Sequence, residues 1–194
     1  MSEARAPGRP RSETSREAIL RAAFALLAER GYGAFAIEPV AARARVGKTT
    51  IYRWWPSKAE LAIDAFLHAT EATLRLPDTG SAERDFRAQI TDLAALLRGP
   101  RGRALAGMLA GSGADPALGR ALGERLLEPR RRWGLERMTR ARDAGELRPG
   151  VVPAAALSVL YGPLWAPLLF GGDVPSAGEV ADYLDVACAG VFAR

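Results

Sequence analysis

Cysteine and histidine are almost missing from this chain of 194 residues, which has one of each, Cys188 and His68. A single thiol excludes an internal disulfide, and one Cys with one His cannot form a zinc cluster. Lysine is nearly missing too: Lys48 and Lys58 are the only two, and arginine supplies the rest of the 27 basic residues. No run alternates apolar and polar residues as a half-buried strand does, and no segment repeats. No G-x-S-x-G elbow accompanies His68, which sits in a helical stretch beside Ala65, Phe66 and Leu67, so hydrolytic catalysis has no machinery here. Gly47-Lys48-Thr49 resembles the end of a phosphate-binding loop, but Ala42 stands where the motif needs its earlier glycine. Gly111-Ser112-Gly113 likewise lacks the third glycine and the strand of a dinucleotide fingerprint. Neither an enzyme nor a cofactor is expected. Met1–Arg16 is polar, with no apolar core of a secretory signal, so the expected location is the reducing cytoplasm.

What remains is an ordinary folded composition, 48% hydrophobic and 25% charged, sufficient for one core with a small appended unit. The net charge of +5 is unevenly placed. Through Glu60 there are eleven basic residues and six acids, and beyond it the two signs balance, so the whole excess lies in the first third. A basic end on a neutral body is the footprint of a polyanion binder, although a solvated surface gives the same count.

The elements read as all-α, about nine helices. Residues 1–12 form a flexible basic arm. A first helix opens near Thr14, where Thr14 and Glu17 have capping-box spacing, and ends at Gly31. Short helices follow at about Ile37–Ala44 and Lys48–Trp55, stopped by Pro56, and a fourth runs from Ser57 to about Leu76. Further helices are expected at Ser81–Leu97 and Arg103–Ala110. One from Asp115 bends or restarts at Pro129 and ends at Gly145; two more span Pro153–Phe170 and the stretch from Ser176. The implied units are 13–60, a linking helix and loop at 61–80, and a larger body at 81–194. Val151–Gly172 carries no charge, but Pro153, Pro163 and Pro167 interrupt it and no aromatic belt flanks it. A buried or subunit-facing helix explains it better than a membrane span.

Ile37–Lys58 has the logic of a helix-turn-helix. Ile37, Val40, Ala41 and Ala44 share one face of the first helix, and small Ala41 and Ala44 permit a close crossing. In the second, Ile51, Trp54 and Trp55 at i, i+3, i+4 are expected to pack inward, leaving Lys48, Thr49, Tyr52 and Arg53 outward. Cations and hydroxyls on one face suit a major groove, where they meet base edges and phosphates. Lys58 opens the next helix, where the macrodipole disfavours a cation unless a phosphate sits there as well.

Arg16–Leu61 resembles the DNA-binding domain of the TetR family of bacterial transcriptional regulators. The resemblance rests on Ile19-Leu20-x-Ala22-Ala23, Gly31-Tyr32, Ile37-x-x-Val40-Ala41, Val46-Gly47-Lys48-x-Thr50-Ile51-Tyr52 and Ser57-Lys58-x-x-Leu61. Ala144-Gly145-Glu146-Leu147-Arg148 and Gly162-Pro163-Leu164 extend it, more loosely, into one large subgroup of the family's effector domains. It implies a homodimer on a palindromic double-stranded operator, most simply a repressor released by a small-molecule effector held in the C-terminal domain. The operator-contacting positions are then Lys48, Thr49, Thr50, Tyr52 and Lys58, with Arg45, Arg53 and Trp54 as further candidates and Trp55 as a core aromatic. Three departures stand out: Ala36 and Pro39 replace the usual cap and acid of the second helix, Arg45 replaces a turn glycine, and Trp54 replaces a common His or Arg. They keep open an alternative, a small-molecule-binding or interaction protein of the same fold that does not bind operator.

Met108, Trp133, Met138, Tyr161, Trp165 and Phe170 are the candidate ligand contacts, although helical aromatics also serve as plain core. Arg130–Arg132 offers cations to an anionic ligand or simply a solvated face. For the homodimer interface, Leu160, Leu164, Leu168, Ala181, Leu184, Cys188 and Val191 form the expected stripe of the last two helices. No membrane partner is expected.

Overall fold

The helical periodicity becomes a stack of packed helices. The computed structural model describes residues 9–71 and 77–193. The first unit comprises α1 (Arg9–Arg30), α2 (Ile37–Ala44), α3 (Lys48–Trp54) and the start of α4 (Lys58–Thr70). The second comprises α5 (Ala82–Leu97), α6 (Pro100–Ser112), α7 (Pro116–Leu122), a π-helical turn (Gly123–Leu127), α8 (Glu128–Asp143), α9 (Pro153–Phe170) and α10 (Ala177–Val191). Among the described residues the one extended pairing is an isolated antiparallel bridge, Leu147 to Phe192.

Local chemistry starts most of these helices. Ser57, Ser81 and Asp115 accept bonds from the free amides of α4, α5 and α7, and Ser176 with Glu179 forms a reciprocal capping box at α10. Some boundaries differ from expectation: α6, expected at Arg103–Ala110, spans Pro100–Ser112. The first helix begins at Arg9, so Thr14 lies inside it; nothing between Arg9 and Glu13 breaks a helix, and Pro10 is harmless in a first turn. Residues 1–8 of the expected arm, and 72–76 of the expected fourth helix, lie outside the described residues. The helix expected to bend or restart at Pro129 restarts there, the π-helical turn separating α7 from α8. A proline crowds the carbonyl four residues back, and the wider turn just before it, closed by the Glu128 amide on the Gly123 carbonyl, relieves that crowding.

Ile19, Ala23, Leu26 and Leu27 of α1 bury against α2 and α4, while α6, α7 and the π turn pack on α4 and join the two units. Two glycines make these approaches possible. A Cβ on Gly102 would run into the Leu97 carbonyl, so only glycine fits the α5–α6 corner, and one on Gly111 would lie 2.8 Å from the Tyr32 ring. The beginning of α5 is pinned from within: Arg137 of α8, 4% exposed, donates to Asp85, 0% exposed, at 2.8 and 3.0 Å, and to Glu146 at 3.3 Å.

The last two helices correct the expected subunit stripe. Leu160, Leu164 and Leu168 of α9 and Leu184, Cys188 and Val191 of α10 are buried in the protomer's own core, and only Ala181 of that set is exposed. The outward face is a different one, carrying Val159, Pro163, Ala166 and Phe170 on α9 with Val186 and Ala189 on α10. Phe170 is 88% and Val186 77% exposed. By length and composition α9 could cross a membrane, yet one stripe of it packs against α5, α6, α8 and α10.

Candidate nucleic-acid interface and cavity

The candidate interface is built from two short helices that each bury one face. Ile37, Val40 and Ala41 of α2 and Ile51 of α3 are buried, and Trp55, which closes α3, is 2% exposed. Opposite them, Lys48, Thr49, Tyr52 and Arg53 are exposed and Thr50 is half-buried. Trp54, open by sequence between an inward place and the operator face, is 38% exposed and tilts against Trp55 with ring centroids 6.3 Å apart. Trp55 enters the core because it is the C-cap of α3, where the backbone turns extended, while Trp54 stays on the helix's outer side.

Both sequence departures in α2 have a structural answer. Ala36 gives no side-chain cap, but Glu38 lies in the first turn, where the dipole favours an acid. Arg45 is left-handed, with φ 56° and ψ 44°, the one non-glycine with positive φ among the described residues. That conformation costs an L-residue about 1–2 kcal/mol. It lets the Val46 amide donate back to Ala41 at 3.0 Å, ending α2, and leaves the Arg45 side chain exposed.

The proposed phosphate ligands are not all free. Lys48 Nζ donates to Glu38 at 3.1 Å, and that bond, after one from Glu38's own amide, holds the Glu38 carboxyl below the usual range. Lys58 Nζ lies 4.5 Å from the centroid of the Tyr32 ring, a cation–π contact that supports a cation at an otherwise unfavourable helix start. The Tyr32 hydroxyl donates to Asp115 Oδ2 at 2.6 Å, which first among several bonds depresses the Asp115 carboxyl. Tyr32 and Asp115 are 83 residues apart, so no local pattern could have paired them.

A second connection joins the two units. Trp55 Nε1 donates to Asp64 Oδ2 at 2.7 Å, and Asp64 Oδ1 accepts from Arg125, which sits on the π turn. The buried residue that closes the recognition helix is thus tied through α4 to a turn whose Gly123, Leu126 and Leu127 line a cavity.

That cavity, about 720 Å³, lies among α4, α5, α6, α8 and α9. Its size is in the range of small-molecule sites. Trp133, Tyr161 and Trp165 line it together with Phe66, Gln89, Leu93, Leu96, Leu105 and Leu157. Met108 and Met138 do not: both are wholly buried in the core. Phe170 does not either, since it lies exposed at the end of α9. Tyr161 donates to Gln89 Oε1 at 2.5 Å, and burial pushes the Tyr161 hydroxyl's pKa upward. Arg130, Arg131 and Glu128 stand at the wall; Arg132 does not. Among the described residues no group of three or more His, Cys, Asp or Glu side chains could hold a metal ion.

Comparison with known proteins agrees with this geometry. A family model described as "Bacterial regulatory proteins, tetR family" matches residues 19–65, and one described as "Tetracyclin repressor-like, C-terminal domain" matches residues 76–187. An uncharacterized HTH-type transcriptional regulator of Bacillus subtilis, YdeS, is 35% identical over 186 residues, 96% of this chain and 94% of its own. The DNA-binding transcriptional repressor TetR of Mycobacteroides abscessus is 44% identical over 77 residues, 39% of this chain and 40% of its own. Among solved structures, the TetR family transcription regulator SCO0332 superposes with a TM-score of 0.75 at 33% identity, covering 91% of this chain and 98% of that one.

Proposed function

The chain belongs to the TetR family of bacterial regulatory proteins and is a DNA-binding transcriptional regulator, and from that premise we propose that it represses by seating α3 of each protomer in a palindromic operator. The observation that carries this reading is the division of α3: Ile51 and the capping Trp55 face the core, while Lys48, Thr49, Tyr52 and Arg53 are exposed together. Those are the side chains a major groove takes, with Arg45, Thr50, Trp54 and Lys58 around them as backbone contacts. The pairing surface is the outward apolar face of α9 and α10, joined as a two-fold bundle. The protein works in the cytoplasm, where its operator is, and it catalyses nothing.

Release follows from a small molecule in the α5–α9 cavity. An occupant that displaces Leu126 or Leu127 moves the π turn, which carries Arg125, and so loosens the Arg125–Asp64–Trp55 connection beneath α3. Two recognition helices read successive grooves only when spaced by about 34–36 Å, so a small change in either unit's tilt lowers affinity. Titrating a labelled duplex from the region upstream of the chain's own gene, by anisotropy at several salt concentrations, tests the reading. Specific binding with a steep salt dependence is expected; affinity no better than for unrelated duplex would refute it.

A further inference from the structure

Arg130 is the cavity residue whose polar atoms the protein leaves unsatisfied. Its Nη1 donates to the Leu126 carbonyl at 2.8 Å, but its Nε is buried with no hydrogen-bond partner among the described residues. Burial also lowers its pKa, the direction expected of a cation short of partners. A buried donor without an acceptor is uncommon in folded proteins, and a charged one is costlier than a neutral one.

Two of the surrounding acids are committed elsewhere, and the third, the exposed Glu71 at the smaller cavity, takes no bond from Arg130 Nε. Glu128, at the same wall, pairs with Arg131 at 2.9 and 3.3 Å. Asp64, across a smaller cavity that Arg130 also borders, holds the Trp55 indole and Arg125. The Tyr161 hydroxyl already has its acceptor in Gln89. Much of the remaining wall is apolar, with Leu93, Leu96, Leu126, Leu157, Trp133 and Trp165.

We propose that the occupant of this cavity is an apolar monocarboxylic acid, its hydrocarbon or aromatic body against the leucines and tryptophans and its carboxylate on the Arg130 guanidinium. This rests on the effector reading above and narrows it to a chemical class. A hydrocarbon occupant would leave Arg130 Nε without an acceptor, and a neutral carbonyl would accept its bond without balancing the buried charge. A dianion would bring a second charge into an apolar enclosure, because Arg131 is already neutralised by Glu128. A singly charged acceptor satisfies both constraints, and guanidinium–carboxylate bonds are among the stronger hydrogen bonds available.

The test uses the full chain with decanoate and 2-naphthoate, each titrated against its own methyl ester by calorimetry and by quenching of tryptophan fluorescence. At least one acid is expected to bind about tenfold or more tighter than its ester. Arg130→Met should remove that preference by weakening the acid alone, and Arg130→Lys should keep part of it. Esters that bind as well as the acids, acids that do not bind, or a preference that survives Arg130→Met would overturn the proposal. The effector reading is scored separately. An ester that binds and lowers operator affinity refutes the acid class and leaves release by ligand intact. An acid that prefers Arg130 yet binds equally with and without operator supports the class and refutes release.

Discussion

Replacing Arg137 by methionine isolates the buried ion pair that ties α8 to the start of α5. In the wild type, Asp85 Oδ2 accepts from Arg137 Nε at 3.0 Å and Nη2 at 2.8 Å, while Oδ1 accepts from the Thr79 amide at 2.9 Å and hydroxyl at 2.7 Å. Burial alone would raise the Asp85 carboxyl, but the bonds from Thr79 and Arg137 outweigh it and the net shift is downward. Arg137→Met leaves Oδ2 without a donor on a residue that is 0% exposed. Breaking a buried pair from one side costs about 3–5 kcal/mol. For a chain of this size that is a fall in Tm of roughly 6–20 °C, measured at fixed protomer concentration because the protein dimerises. The double variant Asp85→Leu with Arg137→Met removes both charges and should lose less than Arg137→Met alone, since only Thr79 is left without its acceptor. The pH dependence has a definite sign. Wild-type Asp85 has a lowered pKa, so its contribution is present above the unfolded value near 3.9 and lost as pH falls through the lower folded value. Without Arg137 only the two Thr79 bonds oppose burial, so that pKa rises relative to wild type and the variant's carboxylate is protonated first as pH falls. The stability gap between wild type and Arg137→Met should therefore narrow as pH falls from 7 through the variant's carboxylate range in urea unfolding. A gap under about 1 kcal/mol at pH 7, or one that does not change with pH, would refute the reasoning.

Three further outcomes are expected. Tyr52→Phe should weaken operator binding with an unchanged melting temperature, whereas Lys58→Ala should do so, lower the salt slope by about one unit, and also cost about 0.5–1 kcal/mol of stability through the Tyr32 ring; gel shifts and melts that match wild type would remove both from the interface. Val186→Asp should give a folded monomer by light scattering, because it places a charge on the outward face of α10, whereas Leu184→Asp should unfold the protomer instead; a folded monomer from Leu184→Asp would return the interface to the buried stripe. Arg125→Met should leave ligand affinity in free protein nearly unchanged but shrink the factor by which operator weakens it, since the connection from π turn to Trp55 is cut; an unchanged factor would place the coupling elsewhere.

The parts of this protein legible in its residue order are those set within a turn or two of helix. Ser57, Ser81, Asp115 with Pro116, and Ser176 with Glu179 each start the helix expected of them, because a cap is satisfied by amides two or three residues away. The sided character of α3 was legible too, since charged and apolar residues on one short helix differ enough to mark inside from outside. Trp54 beside Trp55 had no such contrast, and only packing against α1 and α4 decided between them. Arg130 is indistinguishable by sequence from Arg131 and Arg132; its place is set by the π turn, whose Leu126 carbonyl it bonds, and by α1 and α4 at the smaller cavity. Tyr32 with Asp115 and Asp85 with Arg137 meet across 83 and 52 residues, a separation at which sequence carries no geometric signal. The clearest case is α9. Its residues are apolar all round, so hydrophobicity does not say which stripe enters the protomer's core and which stays outside. The neighbouring helices make that choice, because the phase of a uniform helix is set by the shape of what it packs against and not by its own polarity.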